Sequence, residues 1–174
     1  MDQEIRPVLQ RIRQQLTLFL KDGETEAIEA LRKEFNPRQH ELIAAHVTLC
    51  REDEIRNWEQ VRSNLNKLSQ ISINLVFSKC LRFSEGKGVY LEHDGETGGF
   101  DQLRAQVLEG TSHSIRKHEP HITLMHPRNS ICTDETFAQF QELTLPLSFS
   151  FTETCLIEQV GAGPWKVLET FSAP

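Results

Sequence analysis

An imidazole and a hydroxyl two residues apart occur twice in this chain. Residues 120–127 read Pro-His-Ile-Thr-Leu-Met-His-Pro, and residues 45–49 read Ala-His-Val-Thr-Leu. The two His-x-Thr-Leu copies lie 75 residues apart (121 − 46), which points to a duplicated unit. Alternate side chains of a strand share a face, so His46 and Thr48 point one way, as do His121 and Thr123, each pair roughly 7 Å apart along the strand. Val47, Leu49, Ile122 and Leu124 then anchor a core behind them. Histidine titrates near neutrality, so one imidazole can accept a proton while another donates one. Two of them on opposite walls of a cleft can deprotonate an attacking oxygen and protonate a leaving oxygen in the same displacement. Phosphodiester cleavage needs that pairing, because attack and departure occur roughly in line at phosphorus. The threonine hydroxyls would serve as neutral donors to the non-bridging oxygens. No metal is demanded.

Such side chains need a sheet to hold them, and the periodicities supply one. Residues 2–14 carry Ile5, Val8, Leu9 and Ile12 at helical spacing, predicting a short amphipathic N-terminal extension. Leu16 to Leu20 reads as a buried strand, Thr25 to Phe35 as a helix closed by Asn36-Pro37, and Glu41 to Cys50 as the first motif strand. A helix over 53–67 follows. Ile71 to Phe77 alternates as a half-buried strand that Leu81-Arg82-Phe83 continues beyond a bulge. Gly86-Lys87-Gly88 turns the chain into Val89-Tyr90-Leu91, and a loop at His93 to Glu96 leads to a helix over Phe100 to Leu108. Thr111 to Glu119 reads as the loop delivering the second motif strand, 120–125. Thr133 is placed to cap a helix with Phe137 and Phe140 inward. Three strands, Leu145 to Phe151, Thr154 to Val160 and Trp165 to Phe171, complete the chain. The order predicts one α+β domain over 1–174 with two β-rich lobes, mostly antiparallel sheets, and a motif strand from each lobe lining a central cleft.

Composition narrows the partners. A net charge of −6 over 174 residues lacks the basic footprint of a protein that grips long nucleic acid, although a pocket for a nucleotide end needs only local positive charge. No apolar run approaches a membrane span, and the charged N-terminus is unlike a signal peptide. Cys50, Cys80, Cys132 and Cys155 form no CxxC pair, as expected of reduced thiols in a cytoplasmic protein. His113, His118, His121 and His126 crowd together, but their spacing matches no zinc signature, and a metal would occupy the histidine needed for proton transfer. His40 and His93 read as solvated loop residues, Cys50 as a buried thiol, and Phe83, Tyr90 and Trp165 as core rather than base-stacking surfaces.

Paired His-x-Thr-hydrophobic motifs, one in each half of a chain of this size, resemble the two-histidine (2H) phosphoesterase superfamily, and most of all its bacterial 2′-5′ RNA ligase and cyclic phosphodiesterase branch. The resemblance covers most of the chain beyond residues 1–14. It implies a bilobal, pseudo-two-fold α+β fold with helices outside, and hydrolysis of 2′,3′-cyclic phosphates on RNA ends or nucleotides, typically to 2′-phosphates, without metal or other cofactor. Carried over by motif position, His46 and His121 become the acid–base pair, and Thr48 and Thr123 the phosphate-binding hydroxyls. Arg51 follows the first motif as a basic residue does in relatives. His126 stands at the equivalent place in the second, with Arg128 two further on, which leaves these three as candidate substrate contacts. A regular strand would turn His126 away from His121. A 2′-5′ ligase or 2′-5′ phosphodiesterase on the same site, a metal-dependent hydrolase and a non-catalytic binder of nucleotide or RNA ends are the competing readings. A monomer is expected.

Overall fold

Alternating burial along the strands builds the molecule. The structure is a computed structural model that describes residues 11–21, 23, 25–111 and 115–172. In chain order the elements are β1 (Ile12–Phe19), α1 (Thr25–Phe35), α2 (Pro37–Leu42), β2 (His46–Cys50), α3 (Trp58–Lys67), β3 (Ile73–Arg82), a 3-10 turn at Ser84–Gly86, β4 (Val89–Asp94), α4 (Gly98–Val107), β5 (His121–Met125), α5 (Asp134–Gln141), β6 (Leu147–Phe151), β7 (Glu153–Val160) and β8 (Trp165–Ser172). The strands pair, all antiparallel, in the order β6-β3-β4-β5-β2-β1-β7-β8. Each motif strand sits at the inner edge of a four-stranded half. The two expected sheets are therefore halves of one, joined where Val47 pairs with Ile122.

The face behind the motifs is the core. Leu16, Leu18, Val47, Leu49, Leu91, Ile122 and Leu124 are fully buried, together with Ile28 of α1, Phe100 of α4 and Phe140 of α5. Helix α1 packs on β5, α4 on β2 and β3, and α5 on β3, so the helices back the sheet and leave the histidine face to the cleft. Each fully buried Leu or Ile contributes roughly 1.5–3 kcal/mol relative to exposure.

Several boundaries differ from expectation. Asn36-Pro37 closes α1 but also opens α2, because proline at the first helical position sacrifices no hydrogen bond. The first motif strand is accordingly His46–Cys50 rather than 41–50. Asn57 accepts a hydrogen bond from the Gln60 amide and starts α3 later than the periodicity suggests. Residues 12–14, helical by periodicity, belong to β1, where Arg13 and Gln14 pair with Gln159 and Glu158. The remainder of that expected helix, residues 2–10, lies outside the described residues. His93 lies on β4 and donates through Nδ1 to the Val76 carbonyl (2.8 Å), so it is no loop residue. His40 is half-buried on α2, 3.6 Å from Glu29. Thr133 caps α5 as expected, and β3 carries its bulge between Phe77 and Lys79.

Two buried arginines brace the motif backbone. Arg32 of α1 pairs with Glu29 (2.6 Å) and donates to the Ile43 carbonyl (2.7 Å), while Glu29 accepts the Ala45 amide. Arg104 of α4 pairs with Glu54 (2.7 Å) and donates to the carbonyls of Leu49 and Arg116 (3.0 Å to the latter). Burial pushes the Glu54 carboxyl up, but the Arg104 hydrogen bonds and charge outweigh it and hold the carboxyl below its ordinary range. Replacing Arg104 by Met strands that carboxylate and two carbonyls, so Arg104→Met is expected to lose about 3–5 kcal/mol. Urea denaturation with an unchanged slope reads the loss directly; an unshifted midpoint would show that Arg104 braces nothing.

Candidate active site

Register decides which residues meet. Val47 pairs with Ile122, so one step to either side sets His46 across from Thr123 and Thr48 across from His121. A local pseudo-dyad passes between the paired Val and Ile. Each motif strand is also bulged at the same place. Thr48 and Cys50 of β2 oppose the adjacent Thr17 and Leu16, leaving Leu49 as the extra residue. Thr123 and Met125 of β5 oppose the adjacent Tyr90 and Val89, leaving Leu124 as the extra residue. A bulge re-aims the side chains beyond it. Leu49 and Cys50 are both buried, as are Leu124 and Met125, and the residue that follows each strand, Arg51 or His126, returns to the cleft. His126 thus shares a cleft with His121, contrary to regular alternation. Gly88 makes room for this turn, since a Cβ there would lie 2.5 Å from the Met125 carbonyl and 2.9 Å from Pro127.

The cleft encloses about 920 Å³ and is lined by His46, Thr48, His121, Thr123, Arg51, His126 and Arg128, all seven residues singled out from the sequence. Each motif imidazole is fixed in the same manner. Nδ1 of His46 donates to the Ala44 carbonyl (2.8 Å), and Nδ1 of His121 donates to the Glu119 carbonyl (3.1 Å), in both cases two residues upstream. A carbonyl only accepts, so Nδ1 carries the hydrogen and Nε2 keeps its lone pair. Among the described residues neither Nε2 has a hydrogen-bond partner. The surroundings keep these rings neutral. Burial lowers His46 to about 4; the Ala44 carbonyl opposes the fall, and Arg32, His121 and His126 add to it. His121 is lowered chiefly by burial and further by Arg51, against the Glu119 carbonyl. His126 is lowered by burial, Arg128 and Arg13. Among the described residues no three His, Cys, Asp or Glu side chains are grouped to hold a metal ion.

His118 and Trp165 also line the cleft, and aromatic rings pack behind the motif histidines. His118 is buried, stacks on Phe100 (6.1 Å), lies 6.1 Å from the His121 ring and bonds through Nε2 to the Thr48 carbonyl (3.0 Å). It ties the approach to the second motif onto the first. Phe83 and Tyr90 present edges to His121 at 6.0 and 5.8 Å, and Phe19 meets His46 at 6.1 Å. Trp165 lines the cleft beneath the Arg13 guanidinium. Phe83, Tyr90 and Trp165, expected in the core, are half-buried, and Trp165 packs against the cluster of Ile43, Cys155 and Ile157. Cys50 is buried, and burial pushes its thiol up to about 12, as an inert thiol requires.

A family model described as the 2′-5′ RNA ligase superfamily matches residues 20–163, a span that holds both motifs. The chain belongs to that superfamily, the two-histidine phosphoesterases. Members of the superfamily are phosphoesterases and RNA ligases. Solved structures share the fold. LigT of E. coli in its apo form is 18% identical, over 92% of this chain and 96% of LigT, with a TM-score of 0.60. TT0787 of Thermus thermophilus is 18% identical over 92% of this chain and 97% of its own, at 0.60. Usb1 of Kluyveromyces marxianus is 16% identical over 95% and 100%, at 0.51. No curated protein matches the sequence. No helix among the described residues is long and apolar enough to cross a membrane.

His118 gives the superfamily member a measurable acid sensitivity. Burial, then Arg104, Arg51 and His121, lower its pKa to about 4, against the Thr48 carbonyl that favours the charged form. The unfolded imidazole takes its proton near 6.5. Between the two values the unfolded chain binds the extra proton, so stability falls as pH falls, by roughly 2 kcal/mol at about pH 5. His118→Gln keeps a donor for Thr48 and removes the titration. Its stability difference between about pH 7.5 and about pH 5 is expected to shrink by roughly that amount; an unchanged difference would show that His118 is protonated in the folded chain.

Proposed function

We propose that this chain hydrolyses 2′,3′-cyclic phosphodiesters of RNA ends or nucleotides, with His46 and His121 as a general acid–base pair and without a metal. The observation that carries the reading is the doubled Nδ1–carbonyl bond, which presents two Nε2 atoms to one cleft from strands related by the pseudo-dyad. One neutral Nε2 takes a proton from water as the water oxygen attacks phosphorus. The opposite imidazole, protonated when the anionic diester raises its pKa, gives its proton to the departing 3′ oxygen as the phosphorus–oxygen bond breaks. A 2′-phosphate and a free 3′-hydroxyl result. Thr48 and Thr123, each across from the other motif's histidine, donate to the non-bridging oxygens, and Arg51, His126 and Arg128 balance the charge. LigT has been solved with 3′-AMP and with phosphate, which supports a nucleotide-phosphate ligand for this cleft. The cleft volume, about 920 Å³, leaves room for an RNA 5′-hydroxyl to attack phosphorus in place of water while the same 3′ oxygen departs, so 2′-5′ ligation is a second reading of the same site. We place the reaction in the cytoplasm of a cell and in a single copy of the chain.

Turnover of the four nucleoside 2′,3′-cyclic monophosphates, with products assigned by phosphorus NMR, tests the proposal. His46→Ala and His121→Ala are each expected to lower kcat roughly 10²–10⁴-fold, with the double variant little worse than either. Chelators are expected to leave the wild type unchanged. Because burial holds both imidazoles below the ordinary histidine range, the acid limb of kcat/KM is expected below pH ~6.5. Full turnover in either folded variant would sink the reading.

A further inference from the structure

The cleft carries more positive charge than one cyclic phosphate can use. Among the described residues six arginines line it, against Glu52 and Asp53 as its carboxylates. Both carboxylates are already paired, Glu52 with Arg11 (3.4 Å) and Arg13 (3.6 Å), and Asp53 with Arg116 (2.7 Å). Arg38, Arg51, Arg56 and Arg128 have no carboxylate partner among the described residues. A protein of net charge −6 thus gathers four uncompensated guanidiniums in one place. A cyclic phosphodiester bears a single negative charge, and the proposed catalytic groups already meet it.

One wall also holds an aromatic surface. Arg13, Gln159 and Trp165 form a row across three strands, Arg13 opposite Gln159 and Gln159 opposite Trp165. The row is tied together: Arg13 donates to Gln159 Oε1 (3.4 Å), Gln159 donates to the Gly163 carbonyl (2.8 Å), and the Arg13 guanidinium lies 5.3 Å from the indole centroid. Trp165 is half-buried against Ile43, Cys155 and Ile157, and among the described residues it is the only Phe, Tyr or Trp lining the cleft. Thr17, the β1 partner of Thr48, is four residues along the same strand from Arg13, roughly 13 Å by the strand rise. The row therefore lies well to one side of the reacting phosphate.

We infer that the Arg13–Trp165 stack is a platform for a nucleobase upstream of the reacting end, and that Arg38 and Arg56, which the reacting phosphate does not use, hold the phosphates between. The favoured substrate is then a single-stranded oligonucleotide ending in a cyclic phosphate, not a mononucleotide. Stacking on an aromatic ring together with a guanidinium track is how single strands are held without base-specific hydrogen bonds. The inference rests on the phosphodiesterase reading for its substrate end, but the platform can be tested apart from it.

Two measurements decide it. The first compares kcat/KM for an RNA trinucleotide ending in a 2′,3′-cyclic phosphate with that for the matching nucleoside cyclic monophosphate. The trinucleotide is expected to be favoured about tenfold or more, with a steeper salt dependence of roughly 0.7 in log–log slope for each extra phosphate held. Trp165→Ala is expected to cut that preference about tenfold, within the range for one stacked base. The second uses Trp58→Phe, which removes the indole that packs on Phe171 away from the cleft. The remaining emission, from Trp165, is expected to be quenched by the trinucleotide 2′-phosphate and not by inorganic phosphate. Equal kcat/KM for the two substrates with unquenched emission would overturn the platform and leave the phosphodiesterase standing. Quenching without turnover of any cyclic phosphate would keep the platform and overturn the phosphodiesterase.

Discussion

A single pairing, Val47 with Ile122, joins the two halves of the sheet. Everything chemical in the cleft is referred to it. An antiparallel pair inverts the two strands, so the same tetrapeptide read in opposite directions sets each imidazole opposite the other motif's hydroxyl. A slip by one residue would turn every one of these side chains into the core. Burial forbids the slip, because Val47, Leu49, Ile122 and Leu124 are completely enclosed. The face that carries the histidines is therefore specified by the apolar residues behind it. The matching bulges at Leu49 and Leu124 are part of that specification, since they return Arg51 and His126 to the cleft after two consecutive buried residues.

Charge is handled oppositely on the two sides of the sheet. Behind it, Arg32 and Arg104 are each about 1% exposed and surrounded by acceptors, a carboxylate and backbone carbonyls. Such pairs are costly to bury and costlier to break, and here the carbonyls they hold belong to the chain entering or leaving the motif strands. In front, Arg38, Arg51, Arg56 and Arg128 stand without carboxylate partners among the described residues, and the imidazoles that share the cleft are kept neutral. The cleft thus carries more guanidinium than carboxylate. An incoming phosphodiester would satisfy the guanidiniums and favour the imidazolium form of whichever histidine it meets at its leaving oxygen. Binding and the protonation needed for reaction would then come from the same charge.

Much of this is legible from the repeat. The two motif strands, the helix Thr25–Phe35, the bulge in β3 and the Thr133 cap depend on local patterns that a single sequence displays. The N-terminal turn of α2 is hidden because proline can both stop and start a helix. His126 is misplaced by alternation, which assumes an unbroken strand, and a bulge leaves no mark in the sequence beyond two apolar residues in succession, Leu124-Met125 and likewise Leu49-Cys50. Trp165 reads as core because an aromatic on a strand is usually buried, and only the strand order and the cleft lining together show that β8, two places from β1, brings it to the cleft. The bracing arginines do leave a signal. Arg32 follows Ile28 by four residues as Arg104 follows Phe100, and the arginines are 72 residues apart (104 − 32), close to the motif repeat of 75. Extending the duplication beyond the histidines finds them.

The repeat makes the two histidines equivalent in backbone, but their neighbours differ. His46 has the edge of Phe19 beside it and the charges of Arg32 and His126 in reach, whereas His121 is flanked by Phe83, Tyr90 and His118 and feels Arg51. Duplication supplies a symmetric pair of proton carriers, which an in-line displacement can use in either sense. A substrate, however, has a direction, since only one of its oxygens leaves. Something outside the repeated unit must choose it. Strands β7 and β8 extend one half of the sheet and place Trp165 on its wall, whereas β3 and β6 extend the other half and add no aromatic to the cleft lining. On the proposed reading, the proton chemistry would come from the part that is duplicated, and the orientation of the ligand from the part that is not.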